Sequence, residues 1–355
     1  MKTRARVTFC LVLAAAVLLP LAALAQTPSF NTLKKSNVSL DIEGFTFAAG
    51  LNPDSSGNAN GQGAELLPVR WSGSGFIVDR DGTLITNYHV ARKAMRMKAV
   101  FDDGASYQIN HIKVYDPVND LAIMQISGSG KFSPVRLGNS DRVGVMDEVL
   151  AVGNTLGMGL SVTRGDINQL VKDDSSRQLV RIRHSAPIAP GNSGGALYRS
   201  NDVVGVNVAT RPPYEIHFAI PINIAKNLLA DQYSQAVPMD QVFPPNLEGI
   251  LQKTNHLWSG NGRVDGASGG QPGVYSVQFE LYPLEDYVMT LQSPGADLAL
   301  GVVDGQGNWH GWSNYPGETE ILLLANEYYR PVTVAVFNTN AAPADFGLGI
   351  YNILW

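Results

Sequence analysis

Short apolar runs separated by turn-forming residues make up much of the chain, and this pattern predicts β-strands. Runs at 196–198 and 203–208 flank a polar turn at 200–202. Further runs follow towards the C-terminus with the spacing of a small β-sandwich, at 275–279, 286–291, 297–303, 320–324 and 331–336. Residues 222–231 instead carry apolar positions at helical spacing, which predicts a helix that caps the preceding strands.

The first 25 residues predict an export signal. Lys2, Arg4 and Arg6 precede an apolar stretch at 7–22, and residues 23–25 have the small-residue pattern of a cleavage site. The alternative is an N-terminal membrane anchor, for which the apolar stretch is short. We therefore expect an exported protein, periplasmic or secreted, with no stable membrane anchor after cleavage.

Composition excludes several kinds of chemistry. The single cysteine, Cys10, lies in the signal segment, so the mature chain would have no thiol for a disulfide, a thiolate metal site or a nucleophile. The net charge of −5 becomes more negative when the basic signal is removed, which disfavours nucleic-acid binding. Without a histidine pair at zinc-site spacing or a glycine-rich phosphate loop, we expect no metal and no cofactor.

Three residues in distinctive local sequences supply the parts of a nucleophilic serine hydrolase: His89 in TNYHV, Asp120 in DPVNDLA, and Ser193 in PGNSGGAL. A serine hydroxyl is a poor nucleophile at neutral pH. It needs an imidazole to take its proton and a carboxylate to hold that imidazole in the correct tautomer. Asp116 is a second candidate for the carboxylate, although Asp120 directly precedes the apolar run at 121–123.

Glycines surround the candidate nucleophile in the sequence GNSGG at 191–195. They permit a tight turn in which the N–H groups of Gly191 and Ser193 converge as an oxyanion hole. The same pattern fits the nucleophile elbow of α/β-hydrolases, but that fold needs a helix directly after the serine and the order serine, acid, histidine. Here a strand, a turn and a second strand follow, and the order is histidine, aspartate, serine.

Five sequence blocks in unbroken order, over about residues 65–233, resemble the HtrA/DegP-type branch of trypsin-like serine peptidases: GSGFIV at 73–78, NYHV at 87–90, NDLAI at 119–123, GNSGGAL at 191–197 and FAIP at 218–221. The resemblance implies two packed antiparallel β-barrels, with His89 and Asp120 in the first and Ser193 in the second. The fold class is then all-β, two chymotrypsin-like barrels plus a C-terminal β-sandwich. Asn207 and Ala209 are our candidates for substrate binding.

The chain departs from that family in two respects. HtrA proteins usually carry a PDZ domain after the protease, and nothing after residue 240 resembles one. Asn192 precedes the serine, where digestive trypsin-like enzymes have an aspartate that pairs with a new N-terminus. We therefore expect no activation through that ion pair.

These observations divide the chain into a signal at 1–25, an N-terminal extension at 26–64, a protease domain at 65–233, a linker at 234–272 and a β-sandwich at 273–355. The linker prediction rests on Pro238, Pro244 and Pro245 and on the Ser- and Gly-rich stretch at 259–273. The sandwich resembles the pre-peptidase C-terminal type of domain through ADLAL at 296–300, Asp304-Gly305 and VTV at 332–334. We expect it to be an accessory module and the chemistry to belong to the protease domain alone.

Several residues have two interpretations. Trp309, His310, Trp312 and Tyr315 form either a stacking surface for a sugar or peptide or a cover for one end of the sandwich. Asp297 and Asp304 either bind calcium or form turns. His184 lies in the segment expected to flank the specificity pocket, and His217 lies in a β-type run.

The pattern as a whole predicts an exported, cofactor-independent serine endopeptidase that acts on polypeptides. His89 would be the general base and then acid, Asp120 would orient it, and Ser193 would attack the peptide carbonyl. The competing class is a non-catalytic binding protein that keeps the protease scaffold and acts through its C-terminal sandwich.

Overall fold

The computed structural model describes residues 29–47, 66–128, 132–208, 217–231, 236–282, 285–314, 317–325 and 330–355. The predicted signal peptide, residues 48–64 of the predicted N-terminal extension, Ala209 and Tyr315 therefore lie outside the described residues. Within the described ranges the chain is mostly β, with five short α-helices. The all-β class with two barrels and a sandwich is confirmed.

Six strands form the first barrel. Their order is β5-β4-β1-β2-β3-β6, and the additional pairing of β5 with β6 closes the sheet. The strands and the two short helices of this half are α1 (Phe30–Leu33), β1 (Asn37–Phe47), β2 (Leu66–Ile77), β3 (Thr83–Thr86), α2 (Tyr88–Ala91), β4 (Ala94–Val100), β5 (Ser106–Asp116) and β6 (Leu121–Ile126).

Strand β1 lies within the predicted N-terminal extension, yet it is a central strand of this barrel. It pairs with β2 along its whole length and with β4 on its other side. Val38, Leu40 and Ile42 alternate with polar residues and are fully buried, as expected for a strand with one face towards a core. Residues 37–47 of the predicted extension are thus part of the first barrel.

The second barrel also has six antiparallel strands, in the order β11-β8-β9-β10-β13-β12, and the pairing of β11 with β12 closes it. A two-residue strand, β7, adds in parallel to β12. Helix α3 follows the last strand, as predicted. The elements are β7 (Arg136–Leu137), β8 (Glu148–Asn154), β9 (Leu160–Lys172), β10 (Leu179–His184), β11 (Ala196–Arg199), β12 (Asp202–Val208), β13 (His217–Pro221) and α3 (Ile222–Ala230).

Two four-stranded sheets form the C-terminal β-sandwich. One sheet has the order β15-β22-β17-β20 and the other β16-β21-β18-β19. The strands are β15 (Thr254–Val264), β16 (Gly273–Leu281), β17 (Asp286–Gln292), β18 (Ala299–Asp304), β19 (Trp309–Ser313), β20 (Thr319–Ala325), β21 (Arg330–Asn338) and β22 (Ala344–Ile353).

The range predicted as a linker, 234–272, is largely structured. It contains β14 (Val237–Pro238), α4 (Met239–Val242), α5 (Leu247–Gln252) and β15. Strand β14 pairs with β5 of the first barrel, and β15 pairs with β22 of the sandwich. Strand β15 thus lies before the predicted boundary at 272, and glycines that suggest a loop in this range make room for aromatic rings. Ring atoms of Trp258 lie 2.6 Å from where a Cβ of Gly260 would stand.

The sandwich and the first barrel share one hydrophobic core. Val288, Leu323 and Ile353 of the sandwich belong to the same buried cluster as Leu40 and Met97 of the barrel. Met239, Val242, Phe243 and Ile250, from the segment between the two domains, complete that cluster. The C-terminal domain is therefore built onto the first barrel and is not a separately tethered module.

For Trp312 and Asp304, each of which had two interpretations from the sequence, the contacts in the sandwich favour a structural role. Trp312 is buried, and its ring packs against Trp309 and Phe337 at centroid distances of 5.4 and 5.0 Å. Asp304 accepts hydrogen bonds from the backbone N–H groups of Gln306 and Asn308, each at 2.9 Å, which is the pattern of a turn.

None of the helices in the described part of the chain has the length and apolar character needed to cross a membrane.

Candidate active site

The loop that carries Ser193 lies between the two barrels and is held there by Ser74 of β2. The Ser74 N–H donates to the Ser193 carbonyl at 2.8 Å, and the Ser74 hydroxyl donates to the Gly191 carbonyl at 2.6 Å. The same hydroxyl accepts the N–H of Asn154, from β8, at 2.7 Å. One buried side chain of the first barrel thus positions both the serine loop and the adjacent strand of the second barrel.

Glycine is required at two positions of this loop. Gly191 and Gly194 have φ values of +97° and +84°, in the left-handed region that other residues rarely adopt. A Cβ on Gly194 would stand 2.2 Å from the Thr86 hydroxyl and 2.3 Å from the Ser74 carbonyl oxygen. The loop therefore approaches the end of β3, three residues before His89, as closely as the backbone allows.

His89 and Asp120 are in direct contact. His89 Nδ1 lies 2.8 Å from Asp120 Oδ2, and the backbone N–H of His89 donates to Asp120 Oδ1 at 2.9 Å. Both oxygens of one carboxyl group therefore fix the same residue, which sets the orientation of the ring. Asp120 is buried, whereas the His89 side chain is 30% exposed, so the imidazole can meet a substrate.

Asp116, the other candidate, has a different role. Its oxygens accept the backbone N–H of Asn119 at 3.0 Å and the Asn119 side-chain amide at 2.6 Å. These bonds shape the turn between β5 and β6 that delivers Asp120 to His89. Asp120 itself has a φ of +59°, and such strain in a non-glycine residue is frequent at functional sites.

A cation from the second barrel approaches these carboxylates. Burial lowers the pKa of Arg181, on β10, while the nearby charges of Asp120 and Asp116 act in the opposite direction. The guanidinium of Arg181 therefore lies within electrostatic reach of the His89–Asp120 pair. The sequence analysis did not identify Arg181, because its proximity depends on how the two barrels pack.

The predicted oxyanion donors lie in the same turn. The Asn192 N–H donates to the Ala189 carbonyl at 3.0 Å, and the Gly195 N–H donates to the Asn192 carbonyl at 3.0 Å. Within the described ranges, no acceptor takes the N–H of Gly191. The buried Asn192 side chain accepts a hydrogen bond from the Thr155 hydroxyl at 3.0 Å, at the position where digestive trypsin-like enzymes have an aspartate.

Asn207 does not line an open cleft. It is fully buried, its side-chain amide donates to the Ala196 carbonyl at 3.2 Å, and its backbone exchanges hydrogen bonds with Gly194 and Gly195. It supports the serine loop from behind, so its side chain cannot contact a substrate in this conformation. Ala209, the second predicted substrate-binding residue, lies outside the described residues.

The described geometry suits acyl transfer. An oriented imidazole, a serine on a glycine-bounded turn and backbone N–H groups beside it are the parts that nucleophilic attack on a carbonyl requires. Ser74, like Arg181, was not identified from the sequence. Its only signal was its place in the block GSGFIV at 73–78.

Comparison with known proteins agrees with this architecture. A model of the trypsin-like peptidase domain matches residues 73–206. The periplasmic serine endoprotease DegP of Escherichia coli K12 is 34% identical over 194 residues, which cover 52% of this chain and 39% of DegP. The putative serine protease HhoA of Synechocystis is 38% identical over 166 residues, which cover 44% of this chain and 42% of HhoA.

A solved structure is also similar to this chain. An HtrA-type protease with decapeptide is 26% identical, has a TM-score of 0.50, and is matched over 57% of this chain and 65% of its own. This chain spans less than half the length of DegP and HhoA. Residues 73–206 thus resemble the trypsin-like peptidase domain, and the chain is similar to the serine proteases DegP and HhoA and to an HtrA-type protease.

Proposed function

We propose that this protein is an exported serine endopeptidase that hydrolyses polypeptides through an acyl-enzyme intermediate. The single observation that carries the proposal is the pair of bonds from Asp120 to the ring and backbone of His89, beside the loop of Ser193. The names of the relatives, serine endoprotease and serine protease, support a polypeptide substrate. The periplasmic location in the name of DegP, together with the signal-like residues 1–25, supports export.

In the proposed reaction, Ser193 Oγ forms a bond to the scissile carbonyl carbon while its proton passes to His89 Nε2. The carbonyl oxygen becomes an oxyanion that accepts hydrogen bonds from the N–H groups of Gly191 and Ser193. The C–N bond then breaks as His89 gives the proton to the leaving amine. A water molecule, deprotonated by His89, attacks the ester carbonyl carbon. The bond from that carbon to Ser193 Oγ then breaks, His89 returns the proton to Oγ, and the acid is released. Asp120 keeps Nδ1 protonated throughout, so that Nε2 faces the reaction.

Labelling with a fluorophosphonate tests the nucleophile. We expect the wild type to be modified once, at Ser193, and Ser193→Ala and His89→Ala to remain unmodified, because the hydroxyl depends on the imidazole as its base. Ser200→Ala, at an exposed serine in the β11–β12 turn, is the matched control and should label like the wild type. An unlabelled wild type would instead favour a non-catalytic binding protein.

Replacement of each candidate carboxylate by an amide tests which of the two orients His89. We expect Asp120→Asn to lower kcat on a short peptide by on the order of 10⁴, because the amide favours the wrong imidazole tautomer. Asp116→Asn should lower kcat by less than about tenfold, since Asp116 shapes a turn and does not contact the ring. Equal losses in the two variants would contradict the proposed role of Asp120.

A further inference from the structure

The helix that carries His89 is too short to hold its own geometry. Helix α2 has four residues, and the side chain of its N-cap residue, Asn87, makes no capping hydrogen bond. A single turn gains little from its own hydrogen bonds, so its position depends on tertiary contacts. Asp120 fixes its first turn through His89. The residues that follow it, Arg92 and Lys93, are also buried although both are cationic.

The group that meets these cations comes from the C-terminal sandwich. Asp286, the first residue of β17, is fully buried. Its Oδ1 accepts a hydrogen bond from Lys93 Nζ at 3.2 Å and lies 3.8 Å from Arg92 Nη1. Its Oδ2 accepts the indole N–H of Trp355 at 2.7 Å. We call these four residues the Asp286 cluster: Arg92, Lys93, Asp286 and Trp355.

The cluster is connected rigidly to α2. Arg92 is the C-cap of the helix, and its N–H donates to the Tyr88 carbonyl at 2.7 Å. Lys93 has a φ of +62°, and its carbonyl accepts the N–H of Phe45 at 3.2 Å. A backbone in this conformation persists only when its surroundings hold it. The residues that end α2 thus bond to β1 through the Lys93 carbonyl and contact the sandwich through the side chains of Arg92 and Lys93.

Aromatic packing extends the same connection. The ring of Trp355 packs against Phe45 and Phe243 at centroid distances of 6.1 and 5.8 Å, and the Trp355 carbonyl accepts the hydroxyl of Tyr115. Tyr115 stacks on Tyr88 of α2 at 5.6 Å. Burial raises the pKa of Tyr88, and the charges of both Asp286 and Asp120 act in the same direction, so Tyr88 lies within electrostatic reach of both carboxylates.

We propose that the C-terminal sandwich is a positioning element for His89, and that Asp286 is the positioning residue through which it acts. This inference rests on the proposed function, because it concerns the base of that reaction. Asp286 touches no reacting atom. Its carboxylate holds Arg92 and Lys93, which end the single turn that carries His89, while Asp120 holds the other side of that turn. The ring is placed correctly only when both carboxylates are present.

The variant Asp286→Asn tests the proposal in the full-length protein. It keeps the shape of the side chain but removes the negative charge that faces Arg92 and Lys93. We expect kcat for a short peptide to fall by about tenfold to 10²-fold with little change in KM, because a displacement of about 1 Å at a catalytic group has an effect of this size. The rate of fluorophosphonate labelling should fall by the same factor.

A proton NMR signal provides a readout that a merely structural role would not change. The downfield signal of the His89 Nδ1–H, which depends on its bond to Asp120, should shift or broaden in Asp286→Asn. Asp345→Asn is the matched control, since it removes an exposed sandwich ion pair with Arg263. We expect this control to keep the activity and the signal of the wild type. Trp355→Phe removes only the indole donor to Asp286 and should show a smaller loss in the same direction.

The outcomes are separable. A folded Asp286→Asn variant with kcat within about twofold of the wild type and an unchanged His89 signal would overturn the proposal. If Asp286→Asn does not fold, Trp355→Phe decides by the same two criteria. If the wild type itself is not labelled at Ser193, the proposed function fails, but the NMR comparison still tests whether Asp286 positions His89.

Discussion

A buried imidazole in the second barrel links the stability of the protein to pH. His184 of β10 is buried, and among the described residues neither of its ring nitrogens has a hydrogen-bond partner. Burial first, and then the neighbouring His217, lowers the pKa of His184 to about 4. The two rings lie 6.0 Å apart. Protonation of His184 is therefore disfavoured in the packed barrel.

The direction of the pH effect follows from the two states. The unfolded chain binds a proton at His184 near the ordinary histidine pKa of about 6.5, and the folded chain binds it only near pH 4. Its contribution to stability is thus complete above about pH 6.5 and is lost as the pH falls towards 4. We expect a loss of about 3 kcal/mol over this window, measured by urea unfolding at several pH values.

A pair of variants isolates the contribution of His184. His184→Leu should flatten the dependence of the unfolding free energy on pH between about 4 and 6.5, because Leu cannot titrate. His256→Gln replaces an exposed histidine of the sandwich and should leave the slope as in the wild type. An identical slope in His184→Leu and the wild type would assign the acid sensitivity to other groups.

At the scale of elements, the contact between β2 and the serine loop determines whether the two barrels form one site. Ser74 contributes three hydrogen bonds to this contact, and the serine loop has little regular structure of its own. The hydrogen bond from the Asn154 N–H to the Ser74 hydroxyl joins β8 to β2. Asn154 is the last residue of β8, and its carbonyl lies beside Gly191 of the serine loop. The nucleophile is thus positioned by a strand of the opposite barrel.

Removal of the Ser74 hydroxyl should affect both stability and catalysis. In Ser74→Ala the buried Asn154 N–H loses its acceptor, so we expect a loss of about 1–3 kcal/mol in the free energy of unfolding. We also expect kcat to fall by about tenfold or more, because the Gly191 carbonyl is released and the oxyanion turn loosens. Ser72→Ala, two residues earlier on β2, is the control and should change stability by less than about 0.5 kcal/mol. Unchanged kcat in Ser74→Ala would show that the loop holds its conformation unaided.

At the scale of the whole molecule, the first barrel and the sandwich should unfold together. The cluster that contains Leu40 and Met97 also contains Phe243, Ile353 and Trp355, so separation of the domains would expose apolar surface on both. Two domains that share a core lose stability in a single cooperative transition. We expect one calorimetric transition for the full-length protein, and two separate transitions would contradict the shared core.

Truncation gives the complementary result and differs from the expectation that the chemistry belongs to the first domain alone. A protein that ends at Gln235 lacks β14, Phe243, Asp286 and Trp355, which cover β5 and the end of α2. We expect it to have a lower melting temperature than the full-length protein and to label more slowly with a fluorophosphonate. Wild-type labelling and an unchanged melting temperature would restore the interpretation of the sandwich as an accessory module.

Local sequence determined much of the chemistry and the fold class. The glycine pattern around Ser193, the frames of His89 and Asp120, and the short alternating runs all depend on near neighbours in the chain, so they predict a triad and an all-β fold directly. The resemblance of the sandwich to a pre-peptidase C-terminal domain stays a prediction, since the family match covers only 73–206.

Tertiary structure alone decided how these parts depend on one another. Residues 254–264 form a strand because a distant segment pairs with them, and their own composition, rich in polar residues and glycine, does not indicate it. Residues 37–47 alternate like a strand, but only the pairing with β2 and β4 places them at the centre of the first barrel. Ser74 and Arg181 gain their roles from partners in the opposite barrel, and Asp286 from partners in another domain. Lys93 and Asp286 are separated by 193 positions in the chain, and no local pattern encodes such a contact. Charge pairing and burial act through space, whereas sequence periodicity reports only on the segment in which it occurs.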